Sequence, residues 1–241
     1  MKINIRISIY VIILLLASLF LTSCQYQNNP YGLDIVTDVS QYKELIETDP
    51  DQELIDLEKY IPGIVLDIRY ATDNNFTGQK IYEAPMAFAR KPVAEALFLI
   101  QEELGKSGLG LKIYDAYRPY SATLKFYEVY PDTTFVAAPW KGSVHNTGCA
   151  VDVSLVDLNT GLEIEMPTLF DDFSDKASHS CMDLPETAIH NRQLLKEIMT
   201  RFGFSIYEPE WWHYNFADKG DFGIMDIPLL QISKAYSASP H

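Results

Sequence analysis

The stretch Ser143-Val-His-Asn-Thr-Gly-Cys-Ala-Val-Asp-Val-Ser-Leu155 constrains the fold most, because its pattern changes character halfway along. The first half is polar and turns at Gly148, where glycine takes backbone angles closed to other residues. From Ala150 the side chains alternate. Ala150, Asp152 and Ser154 fall on one face and Val151, Val153 and Leu155 on the other, as in a strand whose valines meet a core. The chain must therefore run from loop into strand here, leaving His145 and Asp152 near a common point. One imidazole and one carboxylate make half of a zinc site, since catalytic zinc takes three protein ligands and a water. The remainder must come from elsewhere in the chain.

Glu210-Trp-Trp-His213-Tyr, near the C-terminus, is the natural donor. On a turn or a single helical loop, a glutamate three residues before a histidine sets a carboxylate beside a metal-bound water while the imidazole binds the metal. Trp211 and Trp212 read as core and pocket wall, able to exclude water.

With 241 residues the chain suits one domain with a sizeable core. Met1 to Ser23 stand apart. Lys2 and Arg6 precede an apolar run from Ile7 to Leu21, shorter than the ~20 residues of a spanning helix, with small residues before Cys24. That is an export signal, and Leu-Thr-Ser-Cys24 resembles the lipobox of bacterial lipoproteins, in which the cysteine is lipidated after cleavage. Residues 1–23 are thus expected to be a lipoprotein signal peptide, 24–32 a polar tether and 33–241 the folded domain. Without Lys2 and Arg6, the 19 basic residues become 17 against 33 acidic ones, a formal net charge of −16. Such a surface repels nucleic acid and anionic headgroups, so membrane attachment would rest on acyl chains alone. Cys149 and Cys181 remain as either a disulfide or two thiols.

Along the chain, Ser40 is expected to cap a helix to about Glu47, and Asp49-Pro50 to open another to about Tyr60, with Leu54, Leu57 and Ile61 as its stripe. Ile64 to Tyr70 reads as a strand and Asp73 to Gly78 as a turn. A core helix runs from Pro92 to Leu104, with Gly105 as its C-terminal cap. Leu111 to Asp115 is a strand ending at Arg118-Pro119, where Arg118 either pairs with Asp115 or binds an oxyanion or carboxylate. Ser121 caps a helix to about Tyr130. Asn159-Thr-Gly161 joins the Asp152 strand to a second arm, Leu162 to Met166. Phe170 to His179 reads as a surface loop. A helix from Pro185 to Phe202 and a strand from Phe204 to Tyr207 lead into Glu210. His179 and His190 read as structural or solvated.

With Asp115-Ala-Tyr-Arg-Pro119, Ser143-x-His145-x-x-Gly148-x-Ala150-x-Asp152 and Glu210-Trp-Trp-His213 in this order, the sequence resembles the D-alanyl-D-alanine dipeptidases, the VanX-type zinc peptidases. The likeness covers most of the chain after about residue 60. It implies an α+β single domain in which helices pack on a central, largely antiparallel sheet bearing the zinc site. It further implies one zinc ion per chain on His145, Asp152 and His213, Glu210 as catalytic base and Arg118 as transition-state stabiliser. By the same likeness, Ser143 and Asp171 hold the charged ends of a small dipeptide substrate. Asn146-Thr147 and Met166-Pro167 depart from the family pattern beside the expected pocket.

The expectation is hydrolysis of D-Ala-D-Ala or a related small D-containing dipeptide in the bacterial cell envelope. A peptidoglycan stem-peptide carboxypeptidase or endopeptidase would share this chemistry. A non-catalytic zinc-binding recognition module would need neither Glu210 nor Arg118.

Overall fold

Alternation at Ala150–Leu155 does give a strand, and that strand is the central one of a five-stranded sheet. The computed structural model describes residues 29–218 and 220–237; the expected signal peptide 1–23, Cys24 and the first residues of the expected tether lie outside them. Contacts divide the chain into two units, Met1–Asp34 and Ile35–His241. In the first, Asn29 closes a turn, its Nδ2 donating to the Leu33 carbonyl and its Oδ1 accepting from the Leu33 amide. Everything below concerns the second. Among the described residues no helix is long and apolar enough to cross a membrane.

Among its described residues are nine strands and six α-helices. The strands are β1 Ile35–Val36, β2 Leu54–Asp56, β3 Val65–Leu66, β4 Phe88–Arg90, β5 Leu109–Asp115, β6 Ala150–Asp157, β7 Phe204–Tyr207, β8 Glu210–Phe216 and β9 Ile224–Met225. The helices are α1 Val39–Thr48, α2 Leu57–Tyr60, α3 Lys91–Gly105, α4 Tyr120–Val129, α5 Glu186–Arg201 and α6 Leu229–Ser237. Five strands form the main sheet in the order β3-β5-β6-β8-β7, with β3 parallel to β5 and every other pair antiparallel. This is the α+β architecture expected, with a largely antiparallel sheet. Helix α3 packs on β5, and α5 packs on β6, β7 and β8. Its apolar spacing explains the docking of α3: Val93, Leu97, Ile100 and Leu104 recur at helical intervals and are all buried.

Where the chain departs from local expectation, tertiary pairing or a better cap is the cause. Asp38, not Ser40, caps α1, its carboxylate accepting from the Ser40 and Gln41 amides. Residues 50–60 are not one helix. Asp49 caps a 3₁₀ turn at Pro50–Gln52, β2 pairs antiparallel with β4, and Asp56 caps α2. Leu54, Leu57 and Ile61 are fully buried all the same, reached by a strand and a turn, because Arg90 on β4 donates to the Gln52 and Thr147 carbonyls and holds the segment extended. The strand expected from Ile64 shrinks to β3, since Arg69–Ala71 turn into a 3₁₀ helix that aims Tyr70 into the core. Helix α4 starts at Tyr120 straight after Pro119, and the Ser121 amide donates to Asp226 instead of Ser121 acting as cap. The second arm after Gly161 makes one bridge, Val156 to Glu163, not a strand.

Phe170 to His179 is a surface loop only in its middle, where Ser174, Asp175 and Lys176 are exposed. Phe170, Ala177 and His179 are buried, and Phe170 stacks on Tyr114 with ring centroids 4.4 Å apart. Cys149 and Cys181 are thiols, not a disulfide.

Candidate metal centre

Three strands deliver the centre. Asp152 on β6 lies opposite His213 on β8 in the ladder, and β6 lies opposite Asp115 at the end of β5. His145 comes from the 3₁₀ turn Val144–Thr147, which Ser143 caps by accepting the His145 amide, while Asn146 reaches back to the Ser143 amide. The turn ends at Gly148, where φ is 80° and an added Cβ would meet Leu54 Cδ2 at 2.7 Å. Glycine alone fits there, so the step from loop to strand is fixed on both steric and conformational grounds.

The ligand atoms form a small triangle. His145 Nε2 lies 3.1 Å from His213 Nδ1 and 3.3 Å from Asp152 Oδ1, and the last two are 3.0 Å apart. Bonds of about 2.0–2.1 Å to a tetrahedral cation would set ligands about 3.3–3.4 Å apart, close to this spacing. Second partners orient the lone pairs. His145 Nδ1 donates to the Ala116 carbonyl at 2.7 Å and His213 Nε2 donates to Asn215 Oδ1 at 3.1 Å. Each ring then turns its acceptor nitrogen toward the carboxylate, and three electron-rich atoms at this range call for a positive charge between them. Among the described residues these three are the group of metal-ligating side chains that converges.

Glu210 and Arg118 flank the triangle. Glu210 Oε2 is 3.9 Å from His213 Nδ1. Both residues sit on β8, not on a turn or helical loop, and residues three apart on a regular strand face opposite ways. The β7–β8 ladder shifts register here, Ile206 pairing with Tyr214 and Tyr207 with Glu210, and this break lets both side chains reach one site. Burial, with Asp152 and Asp171 nearby, pushes the Glu210 carboxyl well above its ordinary pKa. Burial opposes charge on Asp152 too, but His145 and His213 hold its carboxyl well below the usual range.

Arg118 donates through Nε and one Nη to Asp115 Oδ2 at 2.9 and 2.8 Å, and that Nη lies 3.8 Å from Asp152. Tyr82 and the Ala116 amide complete the shell of Asp115. Arg118 thus takes the pairing role with Asp115, and it also lines the cavity. Truncating Arg118 would strand a buried carboxylate, a change that typically costs about 3–5 kcal/mol.

The triangle opens into a cavity of about 430 Å³, lined also by Ser143, Asp171, Trp212, Phe173 and the segment 133–142. Tyr207 crosses its rim, its hydroxyl donating to the Thr134 carbonyl at 2.7 Å. Asp171 holds φ at 65°, accepts from the Tyr70 hydroxyl at 3.0 Å and from the Phe76 amide, and burial pushes its pKa up to about 7. Asn146, expected beside the pocket, does not line it. It is buried and donates to the Arg118 carbonyl, bracing the loop from behind, and Met166-Pro167 also lie off the cavity wall. His190 is exposed. His179 is buried away from the triangle, its amide donating to the Glu208 carbonyl.

Asn215, Tyr70 and Tyr207 were not singled out from sequence. Only Asn215 carried a signal, since two residues after His213 on a strand it shares that face.

The family model Peptidase M15, described as D-ala-D-ala dipeptidase, matches residues 50–234. The D-alanyl-D-alanine dipeptidase of Escherichia coli K12 is 32% identical over 173 residues, covering 72% of this chain and 89% of the relative. That of Enterococcus faecalis V583 is 32% identical over 183 residues, covering 68% and 91%. Among solved structures, the D,D-pentapeptidase VanY with Zn(II) overlaps loosely, with a TM-score of 0.35 and 16% identity over 63% of this chain and 79% of that one. Carried by these matches, the first of which spans His145, Asp152, Glu210 and His213, the assignment is plain: this chain belongs to the D-Ala-D-Ala dipeptidase family of metallopeptidases.

Proposed function

We propose that this chain is a zinc-dependent hydrolase of D-Ala-D-Ala or a related small D-containing dipeptide, working in the bacterial cell envelope after export by residues 1–23 and lipidation of Cys24. The observation that carries the reading is the convergence of His145, Asp152 and His213 with a fourth group, the uncommitted carboxyl of Glu210, 3.9 Å from His213 Nδ1. A recognition module has no use for that extra acid.

His145, Asp152 and His213 would hold one zinc ion. When bound, the zinc supplies Lewis acidity, lowering the pKa of a coordinated water and polarising the scissile carbonyl. Glu210 takes a proton from the attacking water and returns it to the departing amine, a task suited to a carboxyl whose surroundings favour protonation. Arg118, held flat by Asp115 with its Cζ 4.7 Å over the Phe126 ring, stabilises the negative charge growing on the carbonyl oxygen. Asp171 receives the substrate ammonium and Ser143 donates its hydroxyl proton to the other end. The Tyr207–Thr134 contact across the rim favours a short peptide over a long one.

Metal analysis of the purified chain, with dipeptides and stem pentapeptides assayed side by side, tests this. Glu210→Ala should keep its zinc and lose turnover by about 10²- to 10⁴-fold. Equal turnover in variant and parent would remove Glu210 as base, and cleavage of pentapeptide with dipeptide left intact would move the substrate to stem peptides. Cys24→Ala should shift the protein out of the membrane fraction; unchanged fractionation would dismiss the lipid anchor.

A further inference from the structure

When the charged groups lining the cavity are paired off among the described residues, one cation, Lys141, is left over. Three carboxyl groups face the space, Asp152, Asp171 and Glu210, against two cations, Arg118 and Lys141, and the two imidazoles of the metal centre. Arg118 is already answered from within the chain, by Asp115 at 2.8 Å and by Asp152 at 3.8 Å. The Lys141 ammonium has no carboxylate partner among the described residues, although the chain is strongly acidic. A dipeptide brings one ammonium and one carboxylate into this space. Asp171 can answer the first, and the second needs a cation that neither the chain nor the reacting carbonyl already engages.

The backbone around Lys141 is held firmly. The Lys141 and Gly142 amides both donate to the Ala138 carbonyl, at 2.9 and 3.1 Å. Gly142 has φ 75°, and a Cβ there would lie 2.5 Å from Ile224 Cδ1, so this turn is wedged against β9. Ser143 follows, with its Oγ already accepting the His145 amide at 3.2 Å, which leaves its hydroxyl proton to donate. A hydroxyl supplies a hydrogen bond but no charge; a lysine two residues away supplies the charge.

Resting on the dipeptidase reading above, we propose that Lys141 binds the free C-terminal carboxylate of the substrate together with the Ser143 hydroxyl, and so restricts the enzyme to peptides with an unblocked C-terminus. Lys141 is exposed and becomes partly desolvated when a peptide covers it, so its contribution falls between a surface pair and a buried one.

The test compares D-Ala-D-Ala with its C-terminal amide on the zinc-loaded full-length chain. The parent should favour the free acid. Lys141→Met should raise KM for the acid about 5- to 20-fold with kcat within about twofold, leave the amide unchanged, and so erase the preference, while Lys141→Arg restores it. A variant that keeps the parent's acid-over-amide preference, or loses acid and amide alike, overturns the Lys141 assignment while leaving the dipeptidase reading intact. Failure of the zinc-loaded parent to cleave any dipeptide overturns that reading and this assignment with it.

Discussion

Replacing Asp171 by asparagine should make the metal-free protein more stable at pH 8 and less able to bind substrate. The Asp171 carboxyl is driven mainly by burial to a pKa of about 7, against an ordinary 3.8. The folded chain thus keeps a proton that the unfolded chain has lost, so stability is fullest below about pH 4 and falls as the pH rises through about 7. At pH 8 the full separation of about three pKa units has accrued, a ceiling of about 4 kcal/mol; at pH 5 only about 1.5 kcal/mol has accrued. The side chain is only partly exposed, and solvent screening trims both figures by about half. Asparagine tolerates the positive φ of 65° and still accepts from the Tyr70 hydroxyl, but it loses the long 3.4 Å contact from the Phe76 amide, worth about 0.5 kcal/mol. The expected gain is about 1–2 kcal/mol at pH 8 and near zero at pH 5. Urea unfolding of parent and variant at both pH values measures it. A gain equal at the two pH values, or larger at pH 5, would refute the reasoning. Zinc brings positive charge close to Asp171 and should shrink the gain, while KM for the dipeptide rises because the ammonium has lost its counter-charge.

Three other outcomes follow from the same geometry. Gly148→Ala should destabilise the fold by about 2–5 kcal/mol, combining a left-handed residue with a side chain forced against Leu54 and Arg90, and chemical denaturation reads the loss directly. Arg118→Ala should cost about 3–5 kcal/mol of stability as well as turnover, whereas Arg118→Ala,Asp115→Asn should recover much of the stability and none of the turnover; thermal melts beside kinetics separate the two. Chelation should lower the melting temperature, and restoring zinc to 100 times its Kd should return about 2.7 kcal/mol, measured as a melting curve that depends on metal concentration.

The sequence made the centre of the sheet legible and its periphery less so. Period-two alternation placed β6, and helical spacing placed α3, because in both the buried face alone decides the local form. Between Asp49 and Tyr60, Leu54, Leu57 and Ile61 are spaced as on a helix, yet the partner β4 and the guanidinium of Arg90 hold the segment as turn, strand and turn. No local pattern reports a partner thirty residues away. The loop from Phe170 to His179 misled for the opposite reason: among its polar residues stand two aromatics, Phe170 and Phe173, and the stacking of Phe170 on Tyr114 draws the start of the loop inward and carries Asp171 to the cavity. Its route is written in a long-range contact, not in the loop.

Both irregularities of the main sheet fall at the site. The β5–β6 ladder slips between Ile113 and Asp115, just before Arg118, and the β7–β8 ladder slips between Ile206 and Tyr207, opposite Glu210. A regular sheet would present the Asp152 and His213 pair on one face but turn Glu210 away, since three residues along a strand reverse the side chain. Each slip adds backbone without adding a rung, re-aiming the residues beside it, and Trp211 and Trp212 fill the space beneath the second with side chains that are almost wholly buried. Regular pairing thus carries two of the metal-ligating side chains, where spacing must hold to a few tenths of an ångström. Broken pairing carries Glu210 and the approach to Arg118, whose side chains must arrive from directions a flat ladder does not offer.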